Sequence, residues 1–431
     1  MVDRLDAQAV SILEKNDRGG YTVPTARLYP YQWNWDSAFV ALGFATFDRE
    51  RAWTELELLL EGQWDNGMLP SILFRHDDAD YFPGPAVWQT QTKRSPAPPL
   101  PSTGISQPPI LAWVMHQLVI TGDGTDLHRA ADLFDRVLQW HRWYQDERSV
   151  NGVVATVHPW ESGRDNCPDW DLGLDSMMVD PQLEAYQRMD TRHANPQQRP
   201  SKEQYDKYVT MVKFGRDHNW NQKTITARGP FLMADPCIHF ILLRANKDLL
   251  RLATLLELDS AQQELTQLIE AGELASEYFW HDDFGAYVAR NMKTGEFSKG
   301  FSNASALCLF ADVGSELQQQ STIRHIERIQ NQVQFLMPSW DPQADKFDPQ
   351  RYWCGPVWPQ MNCIVASGLA EHGYSSLANN VRDSMAGLIR QSGFRECFNP
   401  LNGDGCIGTD FSWTAAIWLA WASPDRESLV A

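Results

Sequence analysis

Apolar residues recur at the three- and four-residue spacing of a helix face along almost the whole chain, and the alternation that marks a strand is nearly absent. Segments 3–15, 36–44, 49–61, 109–119, 127–147, 201–216, 236–256, 260–279, 304–310, 319–334, 357–371, 375–391 and 412–422 carry the pattern. Short connections such as 256–260 and 373–375 force successive helices to lie antiparallel. The stretches longer than a turn are the ones rich in Trp, Tyr, Gly and Asp. A ring of paired helices with functional loops gathered at one end satisfies both observations, because loops carry chemistry while a rigid scaffold places them. The expected fold is therefore all-α, an α/α toroid.

Length alone allows two or three domains in 431 residues, but no low-complexity tract, charge block or Gly/Ser run divides them. The expectation is one domain over 1–431. Residues 75–108 lack helical pattern, and a loop of that length inside a compact domain is expected to act as a lid or binding element. A net charge of −18 disfavours nucleic acid, which needs a clustered basic surface. Neither a secretory leader nor a membrane span is evident, so a soluble, cytoplasmic protein is expected, with its oligomeric state open and a homo-oligomer compatible. The seven cysteines are scattered and never spaced as CxxC, and the eleven histidines form no HxxxH cluster. No metal and no cofactor are expected. GxSxG and phosphate-loop patterns are also absent, which leaves acid–base chemistry by carboxylates.

Residues 158–171, HPWESGRDNCPDWD, place Glu161, Asp165, Asp169 and Asp171 among Trp160 and Trp170. A carboxyl group desolvated against indole rings can hold its proton near neutrality, as a general acid must. The competing account is a polar loop whose acids cap helices, with Asp165 or Asp169 ahead of a helix start. In 28–39, LYPYQWNWDSAF, the alternation of Tyr29, Tyr31, Trp33 and Trp35 reads as a short edge strand or as a sugar platform. Asp36 reads as the N-cap of the next helix or as a ligand for two adjacent hydroxyls. Tyr81 and Gln107 bracket the long loop. Arg199, just before a Ser201–Gln204 capping-box pattern, reads by itself as a surface charge, and Asp235 as a cap. Later, 351–362 sets Tyr352, Trp353 and Trp358 around a Gly-Pro turn. Residues 393–416 offer Glu396, flanked by Phe394 and Phe398, as a second catalytic carboxylate, ranked ahead of Asp404 in the mobile GDG turn.

In order along the chain, YQWNWDSAF, DYFPGP, STGISQPP, PWESGRDN, QRP, YWCGPVWPQ and FSWTAA resemble glycoside hydrolase family 63, and within it the hydrolases of glucosylglycerate and mannosylglycerate. The resemblance covers nearly the whole sequence. It implies an (α/α)6 barrel and hydrolysis of a small-molecule α-glycoside with inversion of configuration. It further implies Asp165 as general acid and Glu396 as general base. Inversion with water between base and anomeric carbon sets an expected carboxyl separation of about 6.5–9.5 Å. Sugar-site residues carry over to Tyr29, Trp33, Trp35, Asp36, Trp353, Gly355 and Trp358, and residues around an acid aglycone to Tyr81, Gln107, Arg199 and Tyr352. Two positions depart from the family pattern: Cys167 stands where serine is common, and Cys397 where tyrosine is. Three other readings stay open at this point: an α-glucosidase or trehalase-like enzyme for a neutral disaccharide, a sugar isomerase on a similar toroid, and a non-catalytic sugar-binding module.

Overall fold

A computed structural model describes residues 4–430. Six helices, Asn34–Phe44, Leu111–Ile120, Pro236–Leu255, Leu307–Phe310, Pro359–Glu371 and Ser412–Ile417, touch one another in that order, and the last returns to the first. This is a closed inner ring. Every residue of Asn34–Phe44 and of Ser412–Ile417 is buried, as befits helices with no solvent face. The helices that follow the first five, Arg49–Leu60, Gly124–Trp143, Asp259–Ser276, Glu316–Gln330 and Ser375–Ser392, form an outer layer. Arg4–Asn16 completes it by packing on Ser412–Ile417. Outer helices are amphipathic. Ser375–Ser392, for example, buries Leu377, Ala378, Val381, Met385, Ala386, Leu388 and Ile389 along one stripe. The architecture is an (α/α)6 barrel, as the periodicity and the resemblance both implied.

All thirteen expected helical segments contain a helix, with ends displaced by a few residues. Residue 3, where the pattern begins the first, lies outside the described residues. Helix starts follow local chemistry: capping boxes at Asp123, Ser201 and Ser315, and a carboxylate cap at Asp235, which accepts from the Cys237 amide at 2.9 Å. Asp36 is a correction. Its helix begins at Asn34 with Trp33 in the capping position, so Asp36 lies within the first turn and its carboxylate is not used as a cap. The alternation of 29–35 likewise makes only a two-residue strand, Gln32–Trp33, paired antiparallel with Ile72–Leu73. Loop 75–108 contains two single-turn helices, Pro85–Trp88 and Thr90–Lys93, which the pattern did not show. Helix Gln222–Arg228 was also unanticipated.

Small sheets support the loops. The largest runs Ser149–Val150, Val153–Thr156, Met233–Ala234 and Arg290–Asn291, all antiparallel, and its second strand delivers the chain into 158–171. All seven cysteines are free and buried. Among the described residues no helix is long and apolar enough to cross a membrane.

Candidate active site

One pocket at the loop end of the barrel gathers residues from all of the aromatic-polar loops. Its lining includes Tyr29, Trp33, Trp35, Asp36, Tyr81, Gln107, Asp165, Arg199, Tyr352 and Glu396. Its empty space is about 910 Å³ with the open mouth and its solvent included.

Loop 158–171 sorts its four carboxylates by partner. Glu161 turns inward, accepting from Arg148 at 2.5 Å and from the Val157 amide at 2.9 Å. Asp169 accepts from Arg164 at 2.9 Å and from Ser298 at 2.8 Å, and the same guanidinium reaches Asp235 at 2.7 Å. Asp171 pairs with Lys346 at 2.5 Å. Asp165 is left. Its main-chain carbonyl is held by the Tyr208 hydroxyl at 2.7 Å, while no other side chain among the described residues bonds its carboxyl, which faces the pocket. Gly163 permits this turn: its φ is +69°, and a Cβ there would meet the Trp35 ring at 2.5 Å. Removal from water raises the Asp165 pKa to about 6, against an opposing pull from Arg199.

Glu396 enters from the other end of the sequence, just before the strand Cys397–Phe398, which pairs antiparallel with Gly405–Cys406. It is fully buried. Its carboxylate accepts from the Tyr29 hydroxyl at 3.0 Å and the Gly408 amide at 3.2 Å. Burial outweighs these donors and the nearby Arg199, raising its pKa to about 7. Asp36 is also raised, by burial first and by Glu396 second.

Arg199 is not the surface charge that its immediate sequence suggested. It is 5% exposed, with Nε on Asp190 at 3.0 Å, Nη1 on the Tyr29 hydroxyl at 2.8 Å, and its plane 4.2 Å from the Tyr352 ring centre. Burial would raise the Asp190 pKa, but bonds from Arg188 and Arg199 carry it below the usual value. Gln107 accepts from the Trp35 amide at 3.3 Å. Among the described residues, the Gln107 amide nitrogen, the Tyr81 hydroxyl and Arg199 Nη2 donate to no protein acceptor.

Three expected sugar contacts lie outside the lining. Trp353 and Trp358 stack on each other, 3.8 Å between centres and 4° between planes, and both are fully buried. They pack behind Trp35 and Trp413, the rings that do face the pocket. Gly355 lets the chain pass the Asp348 carbonyl, 2.5 Å from where a Cβ would stand. Asp404 is exposed in its turn and bonded to Asn402, away from the pocket. Cys167 lies against Arg164 at 3.4 Å, and Cys397 faces Cys406 across the strand pair, so neither departure from the family pattern reaches the lining. Sequence reasoning missed Asp190, Tyr205, Phe411 and Trp413. Asp190 gave no signal, since its single helical turn lies in a polar stretch without periodicity. Phe411 and Trp413 stand in the FSWTAA motif, which contributes to the resemblance and reads as a helix start without a site role.

Comparison with known proteins follows this geometry. Residues 29–414 match the mannosylglycerate hydrolase MGH1-like glycoside hydrolase domain. A mannosylglycerate hydrolase of Thermus thermophilus is 40% identical over 96% of this chain and 99% of its own. A glucosylglycerate hydrolase of Mycolicibacterium hassiacum is 30% identical over 97% of each. Among solved structures, a family 63 mannosylglycerate hydrolase from Thermus thermophilus, crystallised with Tris, superposes with a TM-score of 0.92 at 40% identity, covering 97% of this chain and 99% of that one. The same enzyme with Tris and D-glycerate gives 0.91.

Proposed function

The chain belongs to the mannosylglycerate hydrolase MGH1-like glycoside hydrolase family, and from that premise we propose that it hydrolyses mannosylglycerate or glucosylglycerate to the hexose and glycerate through Asp165 and Glu396. It is a glycosidase acting with inversion. Asp165 donates its proton to the glycosidic oxygen as the bond to the anomeric carbon breaks. Glu396 takes a proton from the water that attacks the opposite face, and the new hydroxyl has inverted configuration.

This reaction needs the pair singly protonated, with the proton on Asp165. In the free pocket Glu396 is the more basic of the two, about 7 against about 6. The reactive form is therefore the minor one before substrate binds. The Tyr29 and Gly408 donors already lower the Glu396 pKa within that value, against the larger effect of burial. Asp36 lies near Glu396 and would hold sugar hydroxyls, with Trp33 and Trp35 against the ring.

The observation that carries the aglycone assignment is the set of free donors. Tyr81, Gln107 and Arg199 each present an unused N–H or O–H in a lining otherwise rich in carboxylates, and among the described residues Arg199 is its one guanidinium. An anion with adjacent hydroxyls suits them, and the glycerate bound by the solved relative is such a group. A neutral disaccharide would leave the guanidinium without a counter-charge beyond Asp190. An isomerase would want a histidine, and among the described residues none lines the pocket. We assign Asp80 to Pro83, the part of loop 75–108 in the lining, as the lid over the aglycone.

Incubation with mannosylglycerate, glucosylglycerate and the corresponding neutral glycerol glycosides tests the reading. The glycerate substrates should release the β-anomer first, followed by proton NMR before mutarotation. Arg199→Ala should lower kcat/KM on them by about 10²-fold, and on the neutral glycosides at least tenfold less. Equal losses would remove Arg199 from the aglycone site, and initial release of the α-anomer would overturn the mechanism.

A further inference from the structure

Tyr29 lines the pocket beside Trp33, 5.3 Å between ring centres at 76°, a position that suggests a sugar contact. Its hydroxyl has no capacity left for one. A phenol offers one hydrogen and two lone pairs. The hydrogen goes to Glu396 at 3.0 Å, one lone pair accepts from Arg199 Nη1 at 2.8 Å, and the other meets the Tyr352 hydroxyl at 3.0 Å. Arg199 can only donate, and an ionised Glu396 can only accept, so the direction of each bond is fixed: Tyr352 must donate to Tyr29. The Tyr352 hydroxyl is then left with lone pairs alone toward the pocket.

We propose that Tyr29 is a positioning residue, whose hydroxyl holds Glu396 in place as an anion and ties it to the Arg199–Asp190 pair, rather than a group that binds substrate. The inference rests on the reading of Glu396 as base. Its reach is wider than orientation. One hydroxyl joins the base to the guanidinium assigned to the aglycone, and Asp190 anchors the far end through Arg199 Nε at 3.0 Å. A shift of Arg199 on binding an anion would therefore be felt at Glu396 through a single intervening oxygen. The groups that face Glu396 are Arg199, Tyr29 and Tyr352, the acids Asp165 and Asp36, and Cys397 beside it. Of the tyrosines, Tyr29 alone bonds the carboxylate.

Tyr29→Phe keeps the ring and removes the bond. On the glycerate glycosides kcat should fall roughly 10–100-fold with KM within about twofold, since a hydrogen bond to a charged group is lost and no substrate contact is. The alkaline limb of the kcat profile, which the more basic Glu396 sets, should move to higher pH, because the donor that favoured the ionised base is gone. Tyr352→Phe, which leaves the Tyr29–Glu396 bond intact, should leave that limb in place. A raised KM with kcat and the alkaline limb unmoved would overturn the proposal and return Tyr29 to the sugar site. A second readout does not depend on turnover: the carboxyl band of Glu396, assigned by its absence in Glu396→Gln, is titrated by infrared difference spectroscopy in the ligand-free protein. Tyr29→Phe should raise its midpoint, and an unchanged midpoint refutes the proposal. Should wild type cleave none of the glycosides, the function fails while the infrared titration still decides the role of Tyr29.

Discussion

Glu161 and Asp165 stand four positions apart in one loop, the first bonded to a buried arginine and the second facing the pocket. On the barrel side, Glu161 meets Arg148, while Arg164 bridges Asp169 and Asp235, all of them almost without solvent. On the pocket side, among the described residues, Asp165 has no cationic bond, and Glu396 has two neutral donors but no direct ion pair. Arginines neutralise the charge where the loop must be held. Where chemistry is assigned, the charge is left uncompensated and the pKa rises. The first arrangement locks the second: Arg164, next to Asp165 in sequence, is fixed by two carboxylates and by the Trp170 indole, which donates to its carbonyl at 2.7 Å.

The comparison breaks most visibly in turnover. Asp165→Asn and Glu396→Gln should each lower kcat by about 10²–10⁴-fold with much smaller changes in KM, while Glu161→Gln, if folded, should retain far more activity than either. Steady-state kinetics on the glycoside cleaved best would decide it. A near-wild-type rate for either pocket variant would move the assignment elsewhere in the lining, to Asp36 first.

Stability should show the reverse order. Removing one partner of a buried ion pair leaves the other charge uncompensated, so Glu161→Gln and Asp169→Asn should each cost about 3–5 kcal/mol and lower the Tm accordingly. The pocket acids have the opposite sign. Their folded pKa values, about 6 and about 7, lie above those of an unfolded chain. The folded state thus holds protons that the unfolded state has released, and stability present at pH 4 is lost as pH rises through 6 to 7. Asp165→Asn and Glu396→Gln should therefore melt higher than wild type at pH 8, and show little difference at pH 4. Thermal melts at the two pH values would show it, and a fall in Tm at pH 8 would mean that these side chains support the fold.

The barrel was legible because its outer helices each need an apolar face, and the 3.6-residue period states that need directly in sequence. The short helices of loop 75–108 and Gln222–Arg228 were not, since a helix of one or two turns shows too few periods to recognise. Within the site, loops with acids among aromatics were the right places to look. Which members reach the pocket was less legible, because composition does not say what lies in front of a ring. Residues 28–39 put Tyr29, Trp33, Trp35 and Asp36 into the lining, whereas 351–362, of similar composition, contribute Tyr352 and keep the Trp353–Trp358 stack behind it. Asp36 reads both as a cap, because an acid near a helix start usually is one, and as a sugar ligand; the helix starts two residues earlier, and the carboxyl lines the pocket. Arg199 was misread locally because its partners, Tyr29 and Asp190, lie 170 and 9 residues away.

The smallest effect is the pH dependence of turnover, and it sharpens the comparison because only the pocket acids should appear in it. With the proposed roles, activity requires Glu396 ionised and Asp165 protonated. Below about 6 both carboxyls hold protons and the base is lost; above about 7 both are ionised and the acid is lost. A narrow bell between those values follows for kcat/KM in the free enzyme, and its two limbs belong to the pair rather than to either residue, since each charge raises the other's pKa. An anionic aglycone set against Arg199 offsets the cation that lowers both pKa values, so it should raise both limbs in the complex, whereas a neutral aglycone should not. The kcat bell on a glycerate glycoside should thus be centred at higher pH than the kcat/KM bell, by a few tenths of a unit to about one, and the two bells should coincide on a glycerol glycoside. Coincident bells on both substrates would mean that the aglycone charge is not felt by the acid pair, and would separate the carboxyl assignment, which could stand, from the placement of the glycerate on Arg199, which could not.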